Sequence, residues 1–297
     1  MAHYCITTDF IYFQARENGL AFAVINKENP TSLSNAKSKN PDFSWDPGFK
    51  FSFGYFFNHD EWSIYLNFLH YHARITDIYP RREGTFPFPT WQHLAAGPGF
   101  VEDIRNRWRL HLGILDLIVQ RSLNVSDALQ LCPFAGLRYA EIRQKTRIDY
   151  FGGTLFPDGQ DDIDMKNKFW GLGPMAGLNG FWKLFCDFGL YFNTATSFPY
   201  GFFYVHQDER SSLVDEKIRF FRTFHMLRII TEMAAGLRYN CYLNDLNIDC
   251  HAGYELFFLW GQNQLVRFLN QSATGNFESN AGDLTLHGWS LGISIGF

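Results

Sequence analysis

Along most of this chain, large apolar side chains recur at every second position. From Trp289 to Phe297 each odd position is large and apolar and each even position is Gly or Ser. Such alternation marks a β-strand whose two faces meet different surroundings. Phe49, Phe51, Phe53, Tyr55 and Phe57 likewise oppose Lys50, Ser52 and Gly54, and Trp62, Ile64, Leu66 and Phe68 oppose Ser63, Tyr65 and Asn67. Trp108, Leu110, Leu112 and Ile114 alternate with Arg107, Arg109, His111 and Gly113. Comparable rows run through 129–139, 182–193, 227–239 and 251–260. The pattern predicts strands near 5–24, 47–57, 61–73, 105–119, 128–148, 167–178, 182–204, 219–240, 246–260 and 284–297.

The connections alternate in length. Short turns are expected near Asn58–Asp60, Ser122–Ser126, Asn179–Gly180 and Asn244–Asn247. Long polar loops are expected near Asn26–Asp46, Ile75–Asp103, Phe151–Lys166, His206–Lys217 and Gly261–Asp283. Short and long in turn is the meander of an outer-membrane barrel. The expected fold is therefore all-β, one domain over 1–297. It is a closed antiparallel transmembrane up-and-down β-barrel of ten strands with both termini in the periplasm. Closure leaves no unpaired backbone edge in lipid.

Composition supports this picture. The chain has 297 residues, 18% of them aromatic and only 19% charged, with 26 Lys+Arg against 30 Asp+Glu. A disordered chain would be rich in charge and poor in rings, and a nucleic-acid binder would carry a basic excess. Rings are favoured at the two membrane interfaces. The longest stretch without Asp, Glu, Lys or Arg, 188–207, contains Asn193, Thr194, Thr196, Ser197 and Pro199 and reads as β, not as a spanning helix of about 20 apolar residues. Met1-Ala2-His3-Tyr4 lacks a basic region followed by an apolar one. Of a cytosolic chain and a processed, exported one, the patterns favour the second.

Several stretches resemble the pore-forming, major-outer-membrane-protein-like family of Legionella and chlamydia-like bacteria. They are Asp9 to Asn18, Pro47 to Tyr55 running into Trp62 to Asn67, Leu115-Asp-Leu117, Pro133 to Arg138 and Asn167 to Leu178. The resemblance implies a porin of the bacterial outer membrane. It would be surrounded by outer-membrane lipid and inserted by the barrel-assembly machinery, and it would pass ions and small solutes as a monomer or a homo-oligomer. It also implies that Trp289, Leu291, Ile293, Ile295 and the terminal Phe297 form the assembly signal, and that cysteines serve envelope cross-linking. Leu117-Ile-Val-Gln-Arg121 lacks the acidic residue expected after Leu-Asp-Leu, so a family role for that acid does not carry over.

If the apolar face meets lipid, the opposite face lines the lumen. That assigns Lys50, Arg109, Arg138, Lys183, Arg228 and Arg238 to the pore, with Asp187, Glu232 and Glu255. Six basic against three acidic residues predict a weak anion preference, because rings of charge set selectivity. The alternative is that these groups pair and fill the barrel, since ten strands lie between the filled eight-stranded and the open sixteen-stranded case. The competing function is thus a side-chain-plugged structural or adhesin-type barrel.

Of five cysteines, Cys241 and Cys250 lie symmetrically about the turn expected at Asn244–Asn247 and share a face, so a disulfide and two free thiols are both open readings. No cofactor, metal or catalysis is expected. His70 and His72 lack a third ligand. Asp158, Asp161, Asp162 and Asp164 lack EF-hand spacing. Gly171-Leu-Gly173-Pro-Met-Ala176 is followed by no helix pattern. No Ser/His or Asp/His set is tied together in sequence.

Overall fold

The structure, a computed structural model, describes residues 3–27, 35–57, 61–93, 96–215, 217–243, 246–268 and 277–297. Ten barrel strands follow in chain order: β1 (Tyr4–Glu17), β2 (Trp45–Phe56), β3 (Trp62–Pro80), β4 (Asp103–Arg121), β5 (Leu129–Gly152) and β6 (Phe156–Phe185). Then come β7 in two pieces (Phe188–Ser197 and Tyr200–Ser211), β8 in two pieces (Lys217–Leu227 and Ile230–Leu243), β9 (Leu246–Phe268) and β10 (Phe277–Gly296). Each pairs antiparallel with the next, and β1 closes the ring against β10, from Cys5 opposite Gly296 to Glu17 opposite Leu284. The expected all-β barrel is thus the observed architecture.

The breaks in β7 and β8 lie side by side. Pro199 has no N–H to give to a ladder, and its carbonyl instead accepts from the Arg228 N–H at 2.8 Å.

Three expected loops are largely strand, and a fourth, Ile75–Asp103, is strand at both ends. β5 runs to Gly152 and β6 starts at Phe156, so most of 151–166 is paired; likewise β7 reaches Ser211 and β8 starts at Lys217. β3 and β4 extend to Pro80 and from Asp103, and β9 and β10 to Phe268 and from Phe277. The expected turn at Asn179–Gly180 is strand too, with Asn179 opposite Cys132 and Gly180 opposite Leu131. A Cβ at Gly180 would lie 2.0 Å from the Phe192 ring, so the glycine serves that close approach rather than a bend. The turn falls instead at Cys186–Asp187, with Cys186 at φ 48°. The turn expected at Asn58–Asp60 lies outside the described residues.

Toward the short-turn end, the periplasmic end of such a barrel, the outward rows are apolar. Phe49, Phe51, Leu66, Leu117, Leu137, Leu172, Met233, Leu237, Leu291 and Ile293 are all exposed. Tyr4, Phe57, Trp62, Trp182 and Phe297 edge this band below, and Tyr12, Tyr139, Trp170, Trp260 and Trp289 edge it above. A continuous ring of such side chains fits acyl chains and not water.

Above the band the pattern inverts. β6 has 30 residues, against the roughly 9–11 that cross a bilayer. The surplus stands in water, so its apolar face must turn inward. On β4, Leu115, Leu117 and Val119 point out, whereas Trp108, Leu110, Leu112 and Ile114 are buried and Arg109 and His111 are exposed. This overturns the expected lipid contact of Trp108, Leu110, Leu112 and Ile114 and removes Arg109 from the lumen.

The inward side chains of this outer storey form one core. Nine of the ten strands supply it, among them Phe13, Tyr71, Trp108, Ile142, Phe169, Phe203, Ile230, Leu259 and Leu284. Contacts cross the lumen: Gln144 of β5 donates to Glu17 of β1 at 2.6 Å, and Asn167 of β6 donates to the Gln262 carbonyl of β9 at 2.7 Å. Over the outer mouth, Ala23–Asn26, Ala36–Lys39 and Phe86–Pro89 form a small three-stranded sheet. The adjoining Trp91 is buried and donates to the Ala21 carbonyl at 2.9 Å.

Candidate functional site

Below the core the lumen widens into a cavity of about 1500 Å³. Its lining runs from Glu61, Ser63, Gln120 and Gln130 at the turn end up to Ile114, Arg138, Tyr191 and Phe257. The cavity is walled by inward rows that alternate with the lipid-facing ones, among them Thr7, Asp9, Ser52, Asn67, Asp116 and Ser294.

Charged side chains bridge its upper end. Arg138 is buried and holds Asp116 through two bonds, Nε to Oδ1 at 2.7 Å and Nη2 to Oδ2 at 2.6 Å. Asp116 faces it in register from β4. The same Nη2 reaches across the lumen to Glu232 of β8 at 2.9 Å, and Nη1 donates to Ser197 Oγ at 3.4 Å. Lys50 of β2 is paired with Glu255 of β9 and lies 5.4 Å from the centre of the Phe257 ring. Burial makes such pairs mutually dependent, since each charge left alone would be uncompensated.

A second run circles the wall along one rung of the sheet, where Lys50, Asp9, Gly292, His251 and Arg238 are successive register partners. Arg238 is paired with Asp249, Asp249 lies 3.3 Å from His251 Nδ1, and His251 Nε2 lies 2.9 Å from Asp9 Oδ1. The last contact passes over Gly292. A Cβ there would meet Asp9 Oδ1 at 1.9 Å and the His251 ring at 2.4 Å, so the small row of β10 leaves room for this bridge.

Of the nine wall charges expected from sequence, Lys50, Arg138, Glu232, Arg238 and Glu255 line the cavity and are ion-paired. Lys183 and Asp187 sit at its turn-end rim, 3.8 Å apart. Arg228 is buried higher up at the strand breaks, where Nη1 donates to the Trp260 carbonyl at 3.2 Å and the guanidinium covers Phe203 at 4.8 Å. Arg109 lies on the outer surface. Sequence reading missed Asp9, Glu61, Asp116, Asp249 and His251. A lone acid between lipid-facing leucines, as in Leu115-Asp116-Leu117, is the signal that points to Asp116. With these included, four Lys/Arg face seven Asp/Glu on the cavity wall, which removes the basis for an anion preference.

The Cys241–Cys250 pairing is not formed, and all five thiols are free. Leu243 lies opposite Leu246 in register, so Cys250 faces Tyr239 and Cys241 faces Ile248. The two cysteines are diagonal neighbours, about 7–8 Å apart, beyond the reach of a disulfide. His70 and His72 lie outside the barrel, His72 with its ring centre 4.1 Å from that of His111. Among the described residues no group of three His, Cys, Asp or Glu forms a metal site.

In the outer storey, clear of the bilayer segments, Glu17, Glu209 and Asp161 are among the buried carboxyls. Burial pushes Glu17 up to about 8, Glu209 up to about 7 and Asp161 up to about 6. Hydrogen bonds from Gln144 and Trp108 to Glu17, from Gln207 to Glu209 and from the His93 N–H to Asp161 oppose the shift without cancelling it. A raised acid is neutral when folded and ionises more readily when unfolded. Its stabilising contribution is complete below the ordinary carboxyl range and is lost as pH climbs through about 6 to 8. Hydrogen exchange, corrected for intrinsic rates, is expected to show weaker protection around Phe13–Glu17 and Gln207–Ser211 at about pH 9 than at about pH 5. Equal or stronger protection at the higher pH would contradict neutral carboxyls there.

A family model described as Legionella pneumophila major outer membrane protein precursor matches residues 1–297, the whole chain. The chain belongs to that family. Its place is the bacterial outer membrane. No curated protein matches it. Among solved structures, the outer membrane protease OmpT from Escherichia coli is similar at 12% identity and a TM-score of 0.49, covering 99% of this chain and 97% of that one. The Pseudomonas putida toluene transporter TodX is similar at 9% identity and a TM-score of 0.38, covering 99% and 90%. Ail, the attachment invasion locus protein of Yersinia pestis, is similar at 11% identity and a TM-score of 0.27, covering 100% of both chains.

Proposed function

We propose that this outer-membrane protein is a closed, side-chain-plugged barrel that reinforces the envelope, with a blind acidic vestibule open to the periplasm. One observation carries this reading. The belt of fully buried side chains from nine strands fills the lumen between the vestibule and the outer mouth. Interiors packed in this way leave no continuous water column, and dry constrictions do not conduct. The Arg138 and Lys50 bridges below the belt add a second obstruction, since a solute would have to part charges that lie across the lumen from one another. Passive diffusion of ions and small solutes, which the family resemblance implies, would require that the belt be displaced.

Planar-bilayer recording on the refolded protein tests the proposal. The unmodified chain is expected to give no sustained channel at low voltage. A variant with Phe13→Ala, Tyr71→Ala and Phe257→Ala together is expected to raise conductance by thinning the belt. Steady ohmic channels from the unmodified protein would overturn the closed reading and restore the porin.

A further inference from the structure

On the outside of the barrel, just above the lipid-facing band, an upper rung of four cations and a lower rung of two histidines and two cations cross four adjacent strands. In the lower rung His72, His111, Arg143 and Lys168 are successive register partners from β3 to β6. In the upper rung Arg74, Arg109, Lys145 and Lys166 are partners in the same way. Like charges directly opposite each other in a sheet are destabilising; the upper rung repeats that arrangement three times over, and the lower rung holds it once, between Arg143 and Lys168.

The fold compensates only part of this. Glu141 is paired with Arg143, and Asp164 reaches Lys145 at 2.7 Å and Lys166 at 4.0 Å. Arg74, Arg109 and Lys168 are exposed and make no ion pair among the described residues. Two rungs below the upper one, the row is His70, Gly113, Glu141 and Trp170; the next is Phe68, Leu115, Tyr139 and Leu172, which faces acyl chains. A side chain at Gly113 would meet nothing within 4 Å, so the surface is notched between the cations and the lipid.

We infer that this four-strand patch binds the phosphorylated sugar headgroup of an outer-leaflet glycolipid whose acyl chains lie along Phe68, Leu115, Tyr139 and Leu172. Four strands about 4.8 Å apart span roughly 15 Å, enough for a disaccharide with a phosphate at each end. Guanidinium groups hold phosphates through paired N–H donors, and basic clusters beside a membrane attract anionic headgroups. The position selects the ligand, because only a lipid anchored in the outer leaflet brings its phosphates to this height with its chains below. This inference is independent of whether the lumen is open.

Native mass spectrometry of the refolded barrel in detergent tests it, with bisphosphorylated lipid A as the probe. The unmodified protein is expected to retain one molecule, and dephosphorylated lipid A at least tenfold more weakly. A variant carrying Arg74→Gln, Arg109→Gln, Lys145→Gln and Lys166→Gln is expected to lose retention at least tenfold. It should stay folded by its heat-modifiable mobility, because besides repulsion it removes only the surface pairs of Asp164 with Lys145 and Lys166, which contribute little. Lys217→Gln with Arg219→Gln, on β8, should retain the lipid. Equal retention by the quadruple variant, or of the dephosphorylated form, would overturn the inference. Displacement by millimolar inorganic phosphate would overturn the assignment to a lipid in favour of a free anion site.

Discussion

Replacing Arg138 by alanine is expected to cost about 3–5 kcal/mol of barrel stability, the range for removing one partner of a buried ion pair. The guanidinium holds Asp116 with two bonds, Glu232 with one and Ser197 with another, and it is itself buried. Removing it leaves two carboxylates facing each other across the lumen. Restoring neutrality should recover most of the loss, so Arg138→Met combined with Asp116→Leu and Glu232→Gln is expected to lie much closer to the unmodified protein than Arg138→Ala alone. Denaturant titration of the refolded barrel in micelles, followed by tryptophan fluorescence, reads the difference. A loss below about 1 kcal/mol for Arg138→Ala would mean that the network is solvated, as a surface pair would be, and that the upper end of the vestibule is wet.

The contrast between Arg138 and Arg109 shows what the sequence could convey. Both sit opposite large apolar neighbours in a strand of period two, and nothing local separates them. Alternation reveals that a strand has two unlike faces; it does not reveal which medium lies outside. In the bilayer band the apolar row faces out, as expected for Phe49 to Phe57, Leu137, Met233 and Leu291. Above the band, water takes the place of lipid and the same period must be read with the opposite sign, so Trp108 and Leu110 go in and Arg109 goes out. The strand number, the closure of β1 on β10 and the lipid-facing rows were therefore legible, and the extra height was not. Charges at every second position, such as Arg105, Arg107 and Arg109, or Lys166 and Lys168, are the cue to a wall standing in water. Reading Arg109 as lumen-lining assumed that lipid lies outside the whole height of the wall. The Arg138–Asp116 pair was hidden for another reason, because it depends on the register of the β4–β5 hairpin, which a sequence does not state.

Trp108→Ala and Arg109→Ala, one residue apart, separate the two orientations of β4. Trp108 is fully buried, packs edge-on against Phe43 with ring centres 5.4 Å apart, and donates Nε1 to Glu17 Oε2 at 3.1 Å. Truncating it removes a large side chain from a packed core and leaves a buried carboxyl short of a donor. The expected loss is about 3–5 kcal/mol. Arg109 is exposed on a rung of like charges, so its removal should change stability by no more than about 0.5 kcal/mol, with a gain as admissible as a loss. Were β4 lipid-facing along the Trp108 row, the order would reverse. Trp108→Ala would then expose only a smaller apolar residue to acyl chains, and Arg109→Ala would disturb a charge lining the lumen. Paired midpoints from one denaturant series decide between the orientations, and near-equal values for the two variants would count against the inverted outer storey, since only there do neighbouring residues face a dry core and open water.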